Sequence, residues 1–223
     1  MRRWTFLGFG AALALSAAPA AAAEDDCFGA EFTDGPRLEI ARVKPGAPRV
    51  NFIRNGAACP SDSATCRDKS FVVPGDLVVR GRTKNSFVCA DYLSGKNARS
   101  GWLPEAALEP APLAAATQDW RGDWKRDEAS IKITLDAKGG LNAKGEATFG
   151  ALDPARVKRG AVNMGAFDGA LKLAEGQATF ADKDVSDEFS CRVRMARAGA
   201  FLFVQDNRQC GGMNVSFTGL YRR

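Results

Sequence analysis

The sequence predicts an all-β protein: a small barrel followed by an antiparallel meander that closes as a barrel or folds as a sandwich. Short segments of alternating apolar and polar residues recur along most of the chain, which is the pattern of half-buried strands. Glycine, proline and aspartate turns separate these segments at intervals of about 8–12 residues. The 223 residues include six cysteines, which can form disulfide bridges.

The first 23 residues have the three-part pattern of a secretory signal peptide. Arg2 and Arg3 supply positive charge, residues 4–18 are apolar, and residues 20–23 are small. The apolar run is shorter than the ~20 residues of a spanning helix, so no membrane span is expected. The prediction is a signal peptide at 1–23 and a mature chain in the periplasm or secreted.

All six cysteines lie in the expected mature chain, and an even number in an exported protein indicates disulfides. Sequence alone leaves all pairings of the six open. Proximity favours Cys59 with Cys66, closing a small loop, and Cys191 with Cys210, clamping a hairpin. Cys27 with Cys89 would then tie the mature N-terminus to the first domain.

Charge and composition argue against several functions. The net charge of +5 falls to +3 without Arg2 and Arg3, and acids and bases are interspersed, so nucleic acid is not an expected partner. The chain has no histidine, which removes His general bases and Ser-His-Asp triads. We therefore expect no cofactor, no metal site and no enzyme activity.

A stretch rich in proline and alanine divides the mature chain. It predicts a linker at 111–117 between domains at 24–110 and 118–223. In the first domain, strands are expected at 38–43, 50–53, 71–73, 77–79, 87–92 and 101–104, followed by a helical turn at 105–108.

Five segments of the first domain resemble the motif of bacterial SH3-like domains. They are 51–54, 74–79, 87–89, 101–103 and Leu108, with Gly101-Trp102 the strongest piece. The chain departs from the motif at residues 59–66, where a cysteine-closed loop replaces a short Gly-Pro turn. The resemblance implies a surface groove that binds peptidoglycan or peptides. Near such a groove, Arg54 and Tyr92 are candidate ligand-binding residues, with Tyr92 ending a strand before the polar loop 94–97.

In the second domain, strands are expected at 131–135, 141–149, 162–167, 171–173, 178–180, 191–195, 201–204 and 217–221, with one turn at Asp168-Gly169. Gly122-Asp123-Trp124 resembles the G-x-W start of avidin-like and lipocalin-like barrels. The resemblance implies that Trp124 plugs one end of the barrel, with Arg222 or Arg223 packed on it.

The loop 206–214 is the most unusual segment of the second domain. Polar side chains, two adjacent glycines and Cys210 predict a rigid loop in which Asp206, Asn207 and Asn214 are candidate ligand-binding residues. The alternative is a structural connection that needs positive φ at Gly211 and Gly212. The acidic residues at 182, 184, 187 and 188 could hold calcium, although a solvated loop is the favoured interpretation.

These features favour an exported binding protein that recognises a cell-envelope polymer or peptide, or an envelope protein. An inhibitor of a secreted hydrolase is the main alternative, because a bridged barrel with a rigid loop suits that role. A carrier of a small ligand is a further alternative, which requires an open cavity in the second domain.

Overall fold

A computed structural model describes residues 26–29, 37–46, 48–93, 98–182 and 187–223. The predicted signal peptide lies outside the described residues. Strands are the main regular element of the described chain and form two antiparallel sheets, which confirms the all-β class. The second sheet is a closed barrel rather than a sandwich.

The N-terminal sheet has seven strands in the order β3-β2-β6-β5-β4-β1-β7. Their bounds are β1 Glu39–Val43, β2 Val50–Ile53, β3 Arg67–Val72, β4 Leu77–Lys84, β5 Phe87–Tyr92, β6 Arg99–Pro104 and β7 Leu108–Pro110. A 3₁₀ turn at Glu105–Ala107 joins β6 to β7, where the sequence predicts a helical turn. Side chains on both faces are buried, so β5 is apolar for four successive residues instead of alternating.

The C-terminal barrel is a meander of eight strands in which β15 pairs with β8 to close the circle. The strands are β8 Gly122–Arg126, β9 Ala129–Leu135, β10 Leu141–Phe149, β11 Asn163–Ala174, β12 Gln177–Ala181, β13 Arg192–Ala198, β14 Phe201–Asp206 and β15 Gly219–Arg222. One short helix, α1 at Pro154–Lys158, connects β10 to β11. Asp153 caps it by accepting the N–H groups of Ala155 and Arg156.

Large side chains fill the barrel. Trp124, Phe217 and Tyr221 are fully buried, and the Phe167 ring packs edge-on against Phe217 at 4.9 Å. The guanidinium of Arg223 lies 4.5 Å from the centre of the Trp124 ring, in the stacking that the G-x-W segment led us to expect. A barrel interior packed in this way leaves little room for the cavity that a small-ligand carrier needs.

The predicted turn at Asp168-Gly169 is wrong, because both residues lie in the middle of the long strand β11. Gly169 is needed there for packing: a methyl group on it would lie 3.0 Å from the ring of Phe180. Asp168 faces solvent and is opposite Lys144 on β10. In β11, Gly169 lies where a neighbouring aromatic ring approaches the backbone closely. Glycine is also typical of turns, so the residue type alone does not distinguish the two cases.

The three disulfides are Cys27–Cys89, Cys59–Cys66 and Cys191–Cys210, as proximity predicted. Cys27–Cys89 fixes the short N-terminal segment 26–29 to β5. The side chain of Asn55 completes this attachment by accepting the Cys27 N–H at 2.8 Å and donating to the Cys27 carbonyl at 3.0 Å. The buried Trp102 indole also donates to Asn55.

An apolar junction joins the two sheets, and residues from both contribute to it. Its buried members are Leu38, Ile40, Val79, Ala111, Ala196, Ala198 and Phe203. The stretch 111–117, predicted as a linker, takes part: Ala111 is buried, and the Ala114 N–H donates to the carbonyl of Arg197 on β13. The sheets therefore contact each other through a shared core as well as through the connecting chain.

One buried amide pairs with the backbone at the edge of this junction. The Gln177 side chain accepts the Leu38 N–H at 2.7 Å and donates to the Leu38 carbonyl at 3.0 Å. Both residues are buried. Gln177 thus acts as a strand partner for Leu38, satisfying two backbone groups that the apolar surroundings would otherwise leave without a partner.

Replacing Gln177 by alanine tests this pairing. The Gln177→Ala variant should lose about 2–4 kcal/mol of unfolding free energy, because two buried backbone groups lose their partners. Urea unfolding of the variant and wild type provides the measurement. Gln209→Ala, which removes an exposed amide of the same size, is the matched control and should change little. Equal small effects from both variants would contradict the assigned role.

Candidate functional site

A cleft of about 680 Å³ lies where the N-terminal sheet meets the end of the barrel. The segment 26–29 and strands β5 and β6 form one wall, and strands β13 and β14 with the following loop form the other. Its lining residues are Phe28, Gly29, Asp91, Leu93, Ser100, Glu188, Arg192, Gln205, Asp206, Asn207, Arg208, Gln209 and Thr218. Two of the predicted site residues, Asp206 and Asn207, are among them.

The cleft is polar and carries both signs of charge. Its carboxylates belong to Asp91, Glu188 and Asp206, and its guanidinium groups to Arg192 and Arg208. Phe28 adds an aromatic ring that is 75% exposed. Such a lining suits a polar, charged ligand with an apolar part, and it differs from the mainly hydrophobic lining that is usual for drug-like ligands.

Asp206 is the most constrained acidic residue of the cleft. It ends β14 and is only 2% exposed. Its Oδ1 accepts three hydrogen bonds: from the hydroxyls of Ser216 and Thr218, both at 2.7 Å, and from the Thr218 N–H at 3.0 Å. Its Oδ2 is buried and has no hydrogen-bond partner in the described part of the chain.

Asn207 supports the loop that follows β14. Its Oδ1 accepts the N–H of Arg192 at 3.0 Å and that of Gln209 at 3.3 Å, and its Nδ2 donates to the Ser190 carbonyl at 2.8 Å. These three hydrogen bonds use both the oxygen and the nitrogen of the side-chain amide. Asn207 borders the cleft, and the contacts of its side chain are those of a positioning residue.

Neither of the two adjacent glycines of the loop has a positive φ, and Gly211 serves a close backbone approach. Gly211 forms a bridge with Gly165 of β11, and a methyl group on Gly211 would lie 2.5 Å from the Gly165 Cα. The positive φ angles belong to Arg208 (60°) and Asn214 (66°). Asn214 is exposed and does not line the cleft, so its place in the fold is that of a turn residue.

The neighbouring glycines give a matched pair of variants. Gly211→Ala should cost about 1–3 kcal/mol of unfolding free energy, because backbone atoms of β11 occupy the space for its methyl group. Gly212→Ala should change stability by less than about 0.5 kcal/mol, since its nearest neighbour would lie 3.5 Å away. Chemical denaturation of both variants checks this. A tolerant Gly211 would show that the loop is not seated on β11.

Arg54 and Tyr92 lie outside the cleft lining. The Arg54 Nε is 3.6 Å from Asp68 Oδ2, and Arg99 binds the same oxygen at 2.9 Å. Tyr92 is opposite Arg99 on the neighbouring strand and packs its half-buried ring on the core of the sheet. Since successive strand residues face opposite sides, its neighbours Asp91 and Leu93 reach the cleft instead. The loop 94–97 lies outside the described residues.

Hydrogen bonds lower the pKa of Asp68 below its ordinary value. The largest contribution comes from the Ser70 N–H and the next from the Ser70 hydroxyl; desolvation opposes them, and the charges of Arg99 and Arg54 add to the lowering. A carboxyl with a lowered pKa in the folded state stabilises the protein above its unfolded pKa. That contribution disappears as pH falls through the folded pKa.

Asp68→Asn should therefore lower the Tm at pH 7 and have a smaller effect at an acidic pH below the folded-state pKa of Asp68, where the wild-type carboxyl is also protonated. Thermal unfolding followed by circular dichroism at the two pH values measures this. Asp62→Asn replaces an exposed carboxyl in the same sheet region and serves as the control. A pH-independent loss would assign the effect to packing.

Two of the four acidic residues at 182, 184, 187 and 188 accept backbone hydrogen bonds from nearby residues. Asp182 accepts the Cys191 N–H at 2.9 Å, and Asp187 accepts the Phe189 N–H at 2.9 Å. Asp184 lies outside the described residues. In the described ranges, no group of three or more His, Cys, Asp or Glu side chains is arranged to hold a metal ion.

Several cleft residues were not predicted from the sequence, and four of them occupy strand positions: Asp91, Ser100, Arg192 and Gln205. The Ser100 hydroxyl donates to Asp91 at 2.5 Å, and Arg194 donates to Gln205 at 2.9 Å. The sequence signal that could have found them is a polar residue in an otherwise apolar strand, as at the end of β14.

No helix in the described ranges is long and apolar enough to cross a membrane.

Neither a family model, nor a curated protein, nor a solved structure matches this chain.

Proposed function

We propose that this chain is an exported, non-enzymatic binding protein that recognises cell-envelope material, either peptidoglycan or a peptide, or an envelope protein. The observation that carries the proposal is the cleft between the two sheets. It presents carboxylates, guanidinium groups and amides together with the exposed ring of Phe28. Peptidoglycan and its peptides combine hydroxyl, amide and charged groups, which are the partners that such a lining would satisfy.

Two features support export to the periplasm or the medium. The first 23 residues have the signal-peptide pattern. The three disulfides favour an oxidising compartment, since cytosolic thiols are normally kept reduced.

The location of the SH3-like segments supports an envelope ligand. Those segments lie on β2, β4, β5, β6 and β7, all in the N-terminal sheet, with Trp102 fully buried. We propose that this sheet is an SH3-like module that shares its ligand site with the barrel. A binding role is favoured over catalysis because the chain lacks histidine, and over a carrier role because side chains fill the barrel.

A second candidate function is inhibition of a secreted hydrolase, and one observation favours it. The loop 206–214 is clamped by Cys191–Cys210 and seated on β11, and it presents Met213, which is 78% exposed. Met164 on the adjoining strand is 73% exposed. A rigid loop with exposed apolar side chains suits insertion into an enzyme cleft, because little conformational entropy is lost on binding.

Co-sedimentation with purified peptidoglycan sacculi tests the leading proposal. The protein should sediment with sacculi, and Arg208→Glu should weaken binding about tenfold by reversing a charge in the cleft. Arg159→Glu, at an exposed position after α1, is the matched control and should bind like wild type. Tyr92→Ala and Arg54→Ala report on two residues of the N-terminal sheet that lie outside the cleft lining.

Three results would separate the functions. Loss of binding in Arg208→Glu alone supports the cleft, whereas loss only in Tyr92→Ala or Arg54→Ala moves the site to those residues of the N-terminal sheet. No binding to sacculi or to an immobilised stem peptide, combined with inhibition of lysozyme that Met213→Asp abolishes, would replace the leading proposal by the inhibitor function.

A further inference from the structure

We infer that the cleft takes a ligand carrying a primary ammonium group, which binds to Oδ2 of Asp206. The inference deepens the proposed function and depends on the cleft being the binding site. It names the chemical group that the site selects, whether that group belongs to an amino sugar or to a peptide.

The first step is the uneven use of the two carboxylate oxygens. Oδ1 of Asp206 already has three donors, from Ser216 and Thr218. Oδ2 has none in the described chain, although its residue is 98% removed from solvent. A buried carboxylate oxygen without a donor is unfavourable, and native proteins rarely keep one without a reason. Because Asp206 borders the cleft, a ligand there is positioned to supply the missing donor.

The second step concerns the kind of donor. A guanidinium binds a carboxylate best through both oxygens, with two parallel N–H bonds. Oδ1 of Asp206 is already occupied, so only a single-point contact remains. An ammonium group is a compact charge whose N–H bonds suit one acceptor, and its charge strengthens the bond relative to a hydroxyl or an amide.

The third step is the charge of the surrounding cleft. Asp91, Glu188 and Asp206 give three negative charges, and Arg192 and Arg208 give two positive ones, which leaves a net charge of −1. The arginines belong to the barrel side, and Asp91 belongs to the N-terminal wall. A ligand with one ammonium group would neutralise the cleft, while its anionic or polar groups could contact the arginines.

The test uses two matched pairs of probes with the full mature protein. The pairs are glucosamine with N-acetylglucosamine, and Nα-acetyl-lysine amide with its Nε-acetylated form. Members of a pair differ in whether the amine is free and charged. Binding is followed by two-dimensional NMR of the Asn207, Gln209 and Thr218 amides. The free-amine member of at least one pair should bind about tenfold or more tightly, as expected of one charged hydrogen bond. The responding pair identifies the source as sugar or peptide.

Asp206→Asn is the decisive variant. It keeps a carbonyl oxygen for the three donors of Oδ1 and replaces Oδ2 by an NH₂ group, which repels an ammonium. The preference for the free amine should disappear in this variant. Asp136→Asn is the control, because the Asp136 carboxylate also accepts two backbone N–H groups, in the exposed turn between β9 and β10. If Asp206→Asn does not fold, the preference of the wild type within each pair still decides the question.

The inference is overturned if neither pair shows a preference, if no probe perturbs the cleft amides, or if Asp206→Asn retains the preference. The same experiments distinguish a failure of this inference from a failure of the proposed function. Binding of free amines without binding to sacculi or the stem peptide would keep the ammonium site and remove the envelope ligand. Binding to sacculi that Asp206→Asn leaves unchanged, without amine preference, would keep the envelope ligand and remove the ammonium site.

Discussion

The packing of the two sheets depends on the hydrogen bonds that the Gln177 side chain makes with the backbone of Leu38. Leu38 lies just before β1, in an apolar cluster that excludes water, and its N–H and carbonyl would be costly to bury alone. The Gln177 amide supplies one acceptor and one donor in the spacing of a strand partner. This pairing fixes where β1 lies on the outer surface of the barrel, and the apolar residues around it then pack in that register.

The cleft is a consequence of that register. Its N-terminal wall is held by Cys27–Cys89 and by the Asn55 contacts with Cys27, and its barrel wall by Cys191–Cys210 and the Asn207 contacts. Each wall is cross-linked within itself, and the apolar junction joins the two sheets to which the walls belong. Walls of this kind lose little conformational entropy on binding, which favours recognition of a ligand by a few well-placed polar groups such as Asp206.

Two arginines of the barrel bind aromatic rings and backbone carbonyls. Arg223 stacks on Trp124 at one end of the barrel, and Arg126 lies 5.5 Å from the Tyr221 ring. Arg126 also donates to the Ser216 carbonyl, and Arg223 to those of Asp119 and Arg121. Burial raises the pKa of Tyr221 to about 12, so the ring remains neutral beside Arg126. Arg126 and Arg223 therefore have structural partners, namely aromatic rings and backbone carbonyls.

The sequence by itself determined the class of the fold and most strands, and proximity along the chain favoured the disulfide pairings that the structure has. Apolar–polar alternation and turn residues act locally, and short loops bring Cys59 near Cys66 and the β13–β14 hairpin brings Cys191 near Cys210. It also singled out Asp206 and Asn207. Only the tertiary structure decided that β11 runs through Asp168-Gly169, that Gly211 rests on Gly165, and that Asp91 and Arg192 face one cleft. Those facts depend on contacts between residues far apart in the chain, and a local pattern carries no information about which distant backbone or ring a residue will meet.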